Sequence, residues 1–250
     1  MSGSTLERAI ALLEQVSRAQ RPVSLAVLTE ELGLPKTTVH RVLQQMEERG
    51  LVRRDMGRDR YVIGARLSRL AFDALKASFY ATPGRSVLEE LVNELGETCN
   101  IGVLEGRSVV YIDRVECNWP LRLQEQSVTH RPAHCTAIGK LLMAYRPARA
   151  RQAYLQRGPL QRFTENTVTD PEALESDFKR IRAQGYAVND QEYQLGLIGI
   201  AVPVMDDAGE VTAGLALHAP IARLPAEKGI GMLERLRKAA DDIARAYELK

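Results

Sequence analysis

Between Ser24 and Gly50 two helical patterns stand almost end to end, and this pair constrains the fold more than any other feature of the chain. Ser24 suits an N-cap, and Leu25, Leu28, Thr29 and Leu32 recur behind it at helical spacing. Only Gly33 and Leu34 separate that helix from Pro35, whose missing N–H costs nothing at a helix start. The following run, "KTTVHRVLQQMEERG", puts Val39, Val42, Leu43 and Met46 on one apolar stripe, and Gly50 suits the left-handed position just past the helix end. Helix, tight glycine turn and longer helix form a helix-turn-helix pattern.

The second helix has a free face. Thr37, Arg41, Gln44 and Glu48 lie opposite its apolar stripe, most of them in the N-terminal half. Lys36, Thr37, Thr38, His40, Arg41 and Gln44 are therefore the candidate groove-reading residues. Upstream, Ser4 and Glu7 form a capping box for a third helix with Leu6, Ile10, Leu13 and Val16 on one side. Downstream, "LVRRDMGRDRYVIG" reads as two short strands, Leu51 to Arg53 and Arg60 to Ile63, around a glycine turn. Arg53, Arg54, Arg58 and Arg60 crowd this hairpin, as a wing lying over phosphates requires. Three-helix units with a hairpin also serve as protein-interaction modules, and that alternative stays open on the pattern alone.

Charge follows the same division. Residues 1 to 80 hold 13 Lys/Arg and 9 Asp/Glu, a net +4, whereas the rest hold 21 and 23, a net −2, giving the overall +2. With 250 residues, 45% of them hydrophobic, the chain can bury more than one core. No stretch approaches a membrane span, and the N-terminus is an amphipathic helix rather than a signal core, so the expected location is the cytoplasm. Cys99, Cys117 and Cys135 lack any C-x-x-C spacing, which argues against a disulfide framework or a structural zinc.

"GARLSRLAFDALKASF" places Leu67, Leu70, Ala71, Ala74 and Leu75 on a stripe of its own, a linker helix suited to packing against a partner subunit or a following domain. "ATPGRS" then breaks the chain. The expected division is a winged helix-turn-helix over 1–64, a linker helix over 65–80 and a second domain over 81–250. That domain reads as helix "RSVLEELVNELG", hairpin strands "TCNIGVLE" and "SVVYIDRVE", a third strand around "PLRLQEQ", and helices "CTAIGKLLMAY" and "DPEALESDFKRIRAQG". Strands "YAVNDQE", "LIGIAVPVMD" and "EVTAGLALHA" follow, then a terminal helix. Antiparallel strands with grouped helices make an α+β ligand-binding domain.

Catalytic signals are weak. His134 beside Cys135 suggests a thiol hydrolase, but sequence neighbours seldom reach nucleophile-to-base geometry. His130, His134 and Cys135 have metal-ligand chemistry, but Pro132 disrupts the helix that would align them. Asp190 and Glu192, two apart on a strand, are expected to share one face. "GLIGIAVPV" has neither a P-loop lysine nor a dinucleotide fingerprint, so no cofactor is expected. An enzyme converting a small acid, or a ligand-binding module carried on a protein-interaction winged helix, remains the runner-up reading.

"GLPKTTVHRVLQQME", "GLVRRD", "RYVIGARLSRL", "ELGETCNIGVLEGRSVVYIDRVE", "RPAHCTAIGKLLMA", "RIRAQGYAVNDQEYQLGLIGIAVPV" and "AGLALHAP" run in order along nearly the whole chain. In this ordered set the chain resembles the IclR family of bacterial transcription regulators. The resemblance implies a winged helix-turn-helix, a linker helix and a GAF-like effector-binding domain. It also implies homodimers, often assembled into homotetramers, on palindromic or pseudo-palindromic double-stranded DNA operators. Carried over by position, it puts the effector pocket at Thr136, Ala137 and Ile138 at a helix start, and at Asn189, Gly199, Ala216 and His218 on strands. Members that bind small keto acids commonly have Asp, Cys, Ser and Ser at the last four positions. The smaller Gly199 and Ala216 lead us to expect room for a larger, aromatic or similarly sized carboxylate, with His218 pairing with the anion.

Overall fold

The computed structural model describes residues 4–19, 21–55, 59–80, 83–120 and 130–246. The chain divides into two compact units, Met1–Leu75 and Lys76–Lys250.

In the first unit, α1 (Thr5–Arg18) starts at the anticipated capping box: Glu7 N–H donates to Ser4 Oγ at 3.2 Å and Ser4 N–H donates to a Glu7 carboxylate oxygen at 2.6 Å. Its buried side keeps Leu13 and Val16 of the expected stripe but not Leu6 and Ile10. Leu12 and Val16 are buried with Ala9 and Leu13 against them, whereas Leu6 and Ile10 are 69% and 47% exposed. Both stripes satisfy the helical period, and the core takes the one containing Leu12. Helices α2 (Leu25–Leu32) and α3 (Lys36–Glu48) flank a turn in which Gly33 has φ of 60°, a left-handed conformation that a Cβ would strain. Ser24 caps α2 by accepting from Val27 N–H at 3.3 Å. Val39, Val42, Leu43 and Met46 are all buried, as their spacing predicts. The wing is β2 (Val52–Arg54) and β3 (Arg60–Ile63), one residue later at its start than expected. A two-residue strand, β1 (Val23–Ser24), adds to β3 to give the order β1-β3-β2. Helix α4 (Ala65–Tyr80) covers the expected linker segment and leaves Leu70 52% exposed; the side chain of Leu75 lies outside the described residues.

The second unit is built on a six-stranded antiparallel sheet of order β6-β5-β4-β9-β8-β7, made of β4 (Thr98–Glu105), β5 (Ser108–Val115), β6 (His130–Pro132), β7 (Ala187–Asp190), β8 (Leu197–Met205) and β9 (Val211–Pro220). The strand expected around "PLRLQEQ" lies largely outside the described residues, and the short β6 takes the edge position beside β5. One face of the sheet carries α6 (Ala137–Tyr145), whose Ile138 and Leu141 approach Gly214. Behind α6 packs α8 (Pro171–Gln184), burying Leu174, Phe178 and Ile181. Each such side chain contributes about 1.5–3 kcal/mol of transfer free energy. Helix α8 begins at the anticipated cap, with Asp170 accepting from Ala173 N–H at 2.8 Å, and ends at left-handed Gly185. The opposite face is covered by α5 (Pro83–Leu95), α9 (Ala226–Ile230) and α10 (Leu233–Ala246), with Ile200 directed at Gly229 of α9. A 3-10 turn (Ala133–Cys135) leads into α6, and α7 (Ala148–Gln156) follows it.

Candidate functional site

Two surfaces concentrate chemistry that the core does not use. On α3, Lys36, Thr37, His40, Arg41 and Gln44 are exposed while Thr38 is half-buried, so the row opposite the core stripe faces outward. Gln44 donates to Glu48 at 3.3 Å, one turn further along the same row. In the wing the arginines divide. Arg54 is held by Glu47 at 3.2 Å and Asp59 at 3.0 Å and lies over the Tyr61 ring, so its charge is largely compensated within the unit. Arg60 donates to Pro22 C=O at 3.3 Å. Arg53 is exposed and makes no ion pair among the described residues. Arg58 lies outside the described residues.

The second surface is the α6 side of the large sheet. Antiparallel register puts Asn189, Gly199 and His218 in one cross-strand row, and Ala201, Ala216, Asn100 and Arg114 in the next. Arg131 on β6 pairs with Val109 and so shares this face. The sheet thus gathers four polar groups that sequence reading had not assigned to a site: Asn100, Arg114, Arg131 and, through a bond to Arg131, Tyr193. The Arg131 guanidinium donates to the Tyr193 hydroxyl and stands 5.0 Å from its ring centroid.

Asn100 is the most informative of them. It is fully buried, its Oδ1 accepts a hydrogen bond from His218 Nε2–H at 3.2 Å, and its Nδ2 donor has no hydrogen-bond partner among the described residues. An unused buried donor costs about 1–3 kcal/mol, which a bound acceptor atom relieves. With Nε2 protonated, the Nδ1 of His218 keeps its lone pair. Burial, then the charges of Arg114 and Arg131, push the His218 imidazole down to a pKa of about 3. The shift argues against a charged His218 as the anion partner and makes Arg114 and Arg131 the cations that act on this face.

The expected spare volume is also corrected. A Cβ at Gly199 would lie 2.9 Å from His218 Nδ1 and 3.0 Å from its Cε1, so the imidazole occupies the space that the missing side chain leaves. Ala216 is fully buried in the core beneath α6. Thr136 at the α6 N-cap gives its hydroxyl proton to Pro132 C=O at 2.8 Å, and no side chain caps the helix, so the first-turn N–H groups near Ala137 and Ile138 keep their polarity for an anion. Asn189 is committed elsewhere, its Oδ1 accepting from Glu192 N–H at 2.9 Å.

That turn separates the two acids expected to share a face. Gln191 has φ of 61°, which rotates the chain, so Asp190 is exposed while Glu192 is buried. Glu192 bonds to the buried Lys140 ammonium, which also contacts Asp177 at 3.1 Å. Lys140 is therefore a structural cation tying α6 to α8 and to the turn after β7. His134 donates to Gln161 C=O at 2.8 Å, and burial pushes the Cys135 thiol up to about 12, so neither has nucleophile-and-base chemistry. Cys99, Cys117 and Cys135 are free and buried. Among the described residues no group of three His, Cys, Asp or Glu could hold a metal ion, and no helix is long and apolar enough to cross a membrane.

A winged helix-turn-helix joined in one chain to a sheet with an oriented, cation-lined polar face defines a class of ligand-sensing DNA-binding proteins. Residues 80–245 match the model described as bacterial transcriptional regulator IclR C-terminal, and residues 5–56 match the IclR helix-turn-helix domain. The chain belongs to the IclR family of bacterial transcriptional regulators. It is 39% identical over 246 residues to "Probable transcriptional regulator SauR" of Cupriavidus necator, covering 98% of both chains. It is 29% identical to the transcriptional repressor IclR of Escherichia coli, covering 97% of this chain and 89% of that one. The crystal structure of the Thermotoga maritima IclR aligns with a TM-score of 0.63 at 26% identity, covering 98% of each chain. These families and relatives are transcriptional regulators rather than enzymes, which closes the catalytic alternative.

Proposed function

We propose that α3 enters the major groove of a palindromic or pseudo-palindromic operator, and that a small carboxylate bound on the α6 side of the large sheet controls that binding. Lys36, Thr37, Thr38, His40, Arg41 and Gln44 read or flank the base edges, and the wing arginines, Arg53 foremost, contact phosphates. Two copies are needed for two half-sites, and the exposed Leu6, Ile10 and Leu70 of α1 and α4 are apolar surface suited to a homodimer, from which a homotetramer can be built. Such a protein works in the cytoplasm, beside the chromosome.

The effector reading rests on one observation: the buried Nδ2 of Asn100 has no partner among the described residues. Around it, Arg131 and Arg114 supply positive charge and the first turn of α6 at Ala137 and Ile138 supplies N–H groups, a combination suited to a carboxylate. His218 over Gly199 limits the size of the acid. An aromatic acid of the expected bulk requires the imidazole to swing away from Gly199, whereas a compact acid binds with it in place. Calorimetry of a graded carboxylate series on wild type and Asn100→Leu tests this reading: a carboxylate that binds wild type and fails on Asn100→Leu supports it, and equal affinity for both refutes it.

A further inference from the structure

A recess of about 370 Å³ opens beside the β5–β6 edge, between the turn preceding α6 and the segment after α7, and none of the effector candidates lines it. Its wall carries Arg107, which lies in the β4–β5 turn. The Arg107 carbonyl is fixed by Ala133 N–H at 3.0 Å, and its guanidinium stands over the Tyr154 ring, 4.9 Å from the centroid. Arg107 makes no ion pair among the described residues. At the rim His130 meets Glu105 at 3.0 Å, and at the floor His134 is held neutral by burial while bonded to Gln161 C=O. A half-buried guanidinium without a counter-charge thus faces a space whose other walls include Pro159, Leu160 and Phe163. We propose that this recess is a second ligand site, for an aromatic monocarboxylate, with the carboxylate on Arg107 and the ring against Phe163 and Leu160.

The geometry favours this class over others. Stacking on Tyr154 fixes the guanidinium plane, which suits a planar two-oxygen anion. One uncompensated cation matches one negative charge, and the aromatic and aliphatic walls match a flat apolar body. The site also adjoins the sheet face. Phe163 is 6.1 Å from the His134 ring and 5.0 Å from the Tyr193 ring, and Tyr193 carries Arg131. A ring seated on Phe163 is thus linked to Arg131 through two side chains, Phe163 itself and Tyr193. The proposal does not depend on what occupies the sheet face.

The test is fluorine NMR of 4-fluorobenzoate with the full chain, using 4-fluorobenzamide as the neutral counterpart. Wild type should bind the acid saturably and the amide at least about tenfold more weakly, because only the acid pairs with Arg107. Arg107→Gln should lose about tenfold or more in affinity for the acid, and Arg107→Lys, which keeps the charge but not the stacked two-donor plane, should fall between Arg107→Gln and wild type. Leu160→Trp, which fills the recess, should also lose the acid while keeping the wild-type melting midpoint. Asn100→Leu, altered only on the sheet face, should bind it unchanged. The proposal is overturned by no saturable binding to wild type, by equal binding to Arg107→Gln, by equal binding of the amide, or by loss of binding in Asn100→Leu, which would place the probe on the sheet face instead.

Discussion

His218 Nε2 donates to Asn100 Oδ1 at 3.2 Å, joining residues 118 apart in the chain and turning the Asn100 amide so that its Nδ2 is left without a partner among the described residues. Because the imidazole is neutral with a pKa of about 3, it takes no proton in the folded protein near neutrality. Above the ordinary value of about 6.5 neither the folded nor the unfolded chain carries the proton, and stability is unaffected. Below it the unfolded chain gains a proton that the folded one refuses, so stability falls as pH drops from about 6.5 toward 3, by up to about 1.4 kcal/mol per pH unit from this group. The imidazole carbon-bound proton resonance of His218 should therefore stay constant between pH 5 and pH 8, a window in which an ordinary histidine titrates. A midpoint inside that window would contradict the neutral assignment.

Because the charge lies on arginine, discrimination between a carboxylate and its amide should survive His218→Gln and collapse in Arg131→Gln. Calorimetry with an acid and amide pair on both variants decides the matter, and the reverse pattern would return the anion to His218.

Gly199→Cys should push the imidazole off its place, since the new Cβ would lie 2.9 Å from Nδ1. The expected loss is about 1–3 kcal/mol in unfolding free energy, from overpacking. In the double variant Gly199→Cys with His218→Ala, most of that loss should return, because the ring that clashes is gone. Urea unfolding of the four-member cycle gives the coupling, and purely additive effects would show that the two positions do not touch.

Lys140 pairs with the buried Glu192 and with the half-buried Asp177, which Arg180 also holds. Lys140→Met should destabilise by about 3–5 kcal/mol, the cost of leaving buried charge unpaired. Adding Glu192→Gln should recover part of it, and a double variant less stable than the single one would argue against the ion cluster.

Much of the architecture was legible because it is local. Ser4 with Glu7, Ser24, Gly33, Asp170 and Gly185 each punctuate a helix through bonds within a few residues, and the buried row of α3 follows from its period alone. The two- and three-residue strands β1 and β6 carry no period and exist only because β3 and β5 offer free edges. On α1 two stripes fit equally, and only packing selects Leu12 over Leu6 and Ile10. The site was the least legible part. The resemblance pointed to Ala137, Gly199 and His218 as candidates, but Asn100 and Arg131 join that sheet face from strands distant in sequence, and the idea of vacant space at Gly199 ignored the neighbouring ring.

On DNA, the wing arginines should not be equivalent. Arg53→Ala should weaken binding to all sequences and reduce the slope of log affinity against log salt by about 0.9, one phosphate contact. Arg54→Ala should change it less, because Glu47 and Asp59 already compensate that charge. Arg41→Ala should instead cost about 1–3 kcal/mol on the preferred site alone. Equal losses on preferred and scrambled DNA for Arg41→Ala would show that this α3 face does not read bases.

The most direct test of the account joins both units in one measurement. DNA selected by the full chain from a random pool serves as the operator, and a carboxylate that binds the chain is titrated by calorimetry with and without that DNA. Linkage requires the DNA to shift ligand affinity by the same factor by which the ligand shifts DNA affinity, and a ligand with no preference between conformations shifts neither. The account predicts a selected sequence with two-fold symmetry, equal reciprocal factors, and an Asn100→Leu variant that binds the DNA as wild type does but no longer responds to the carboxylate. A full response in Asn100→Leu would contradict it.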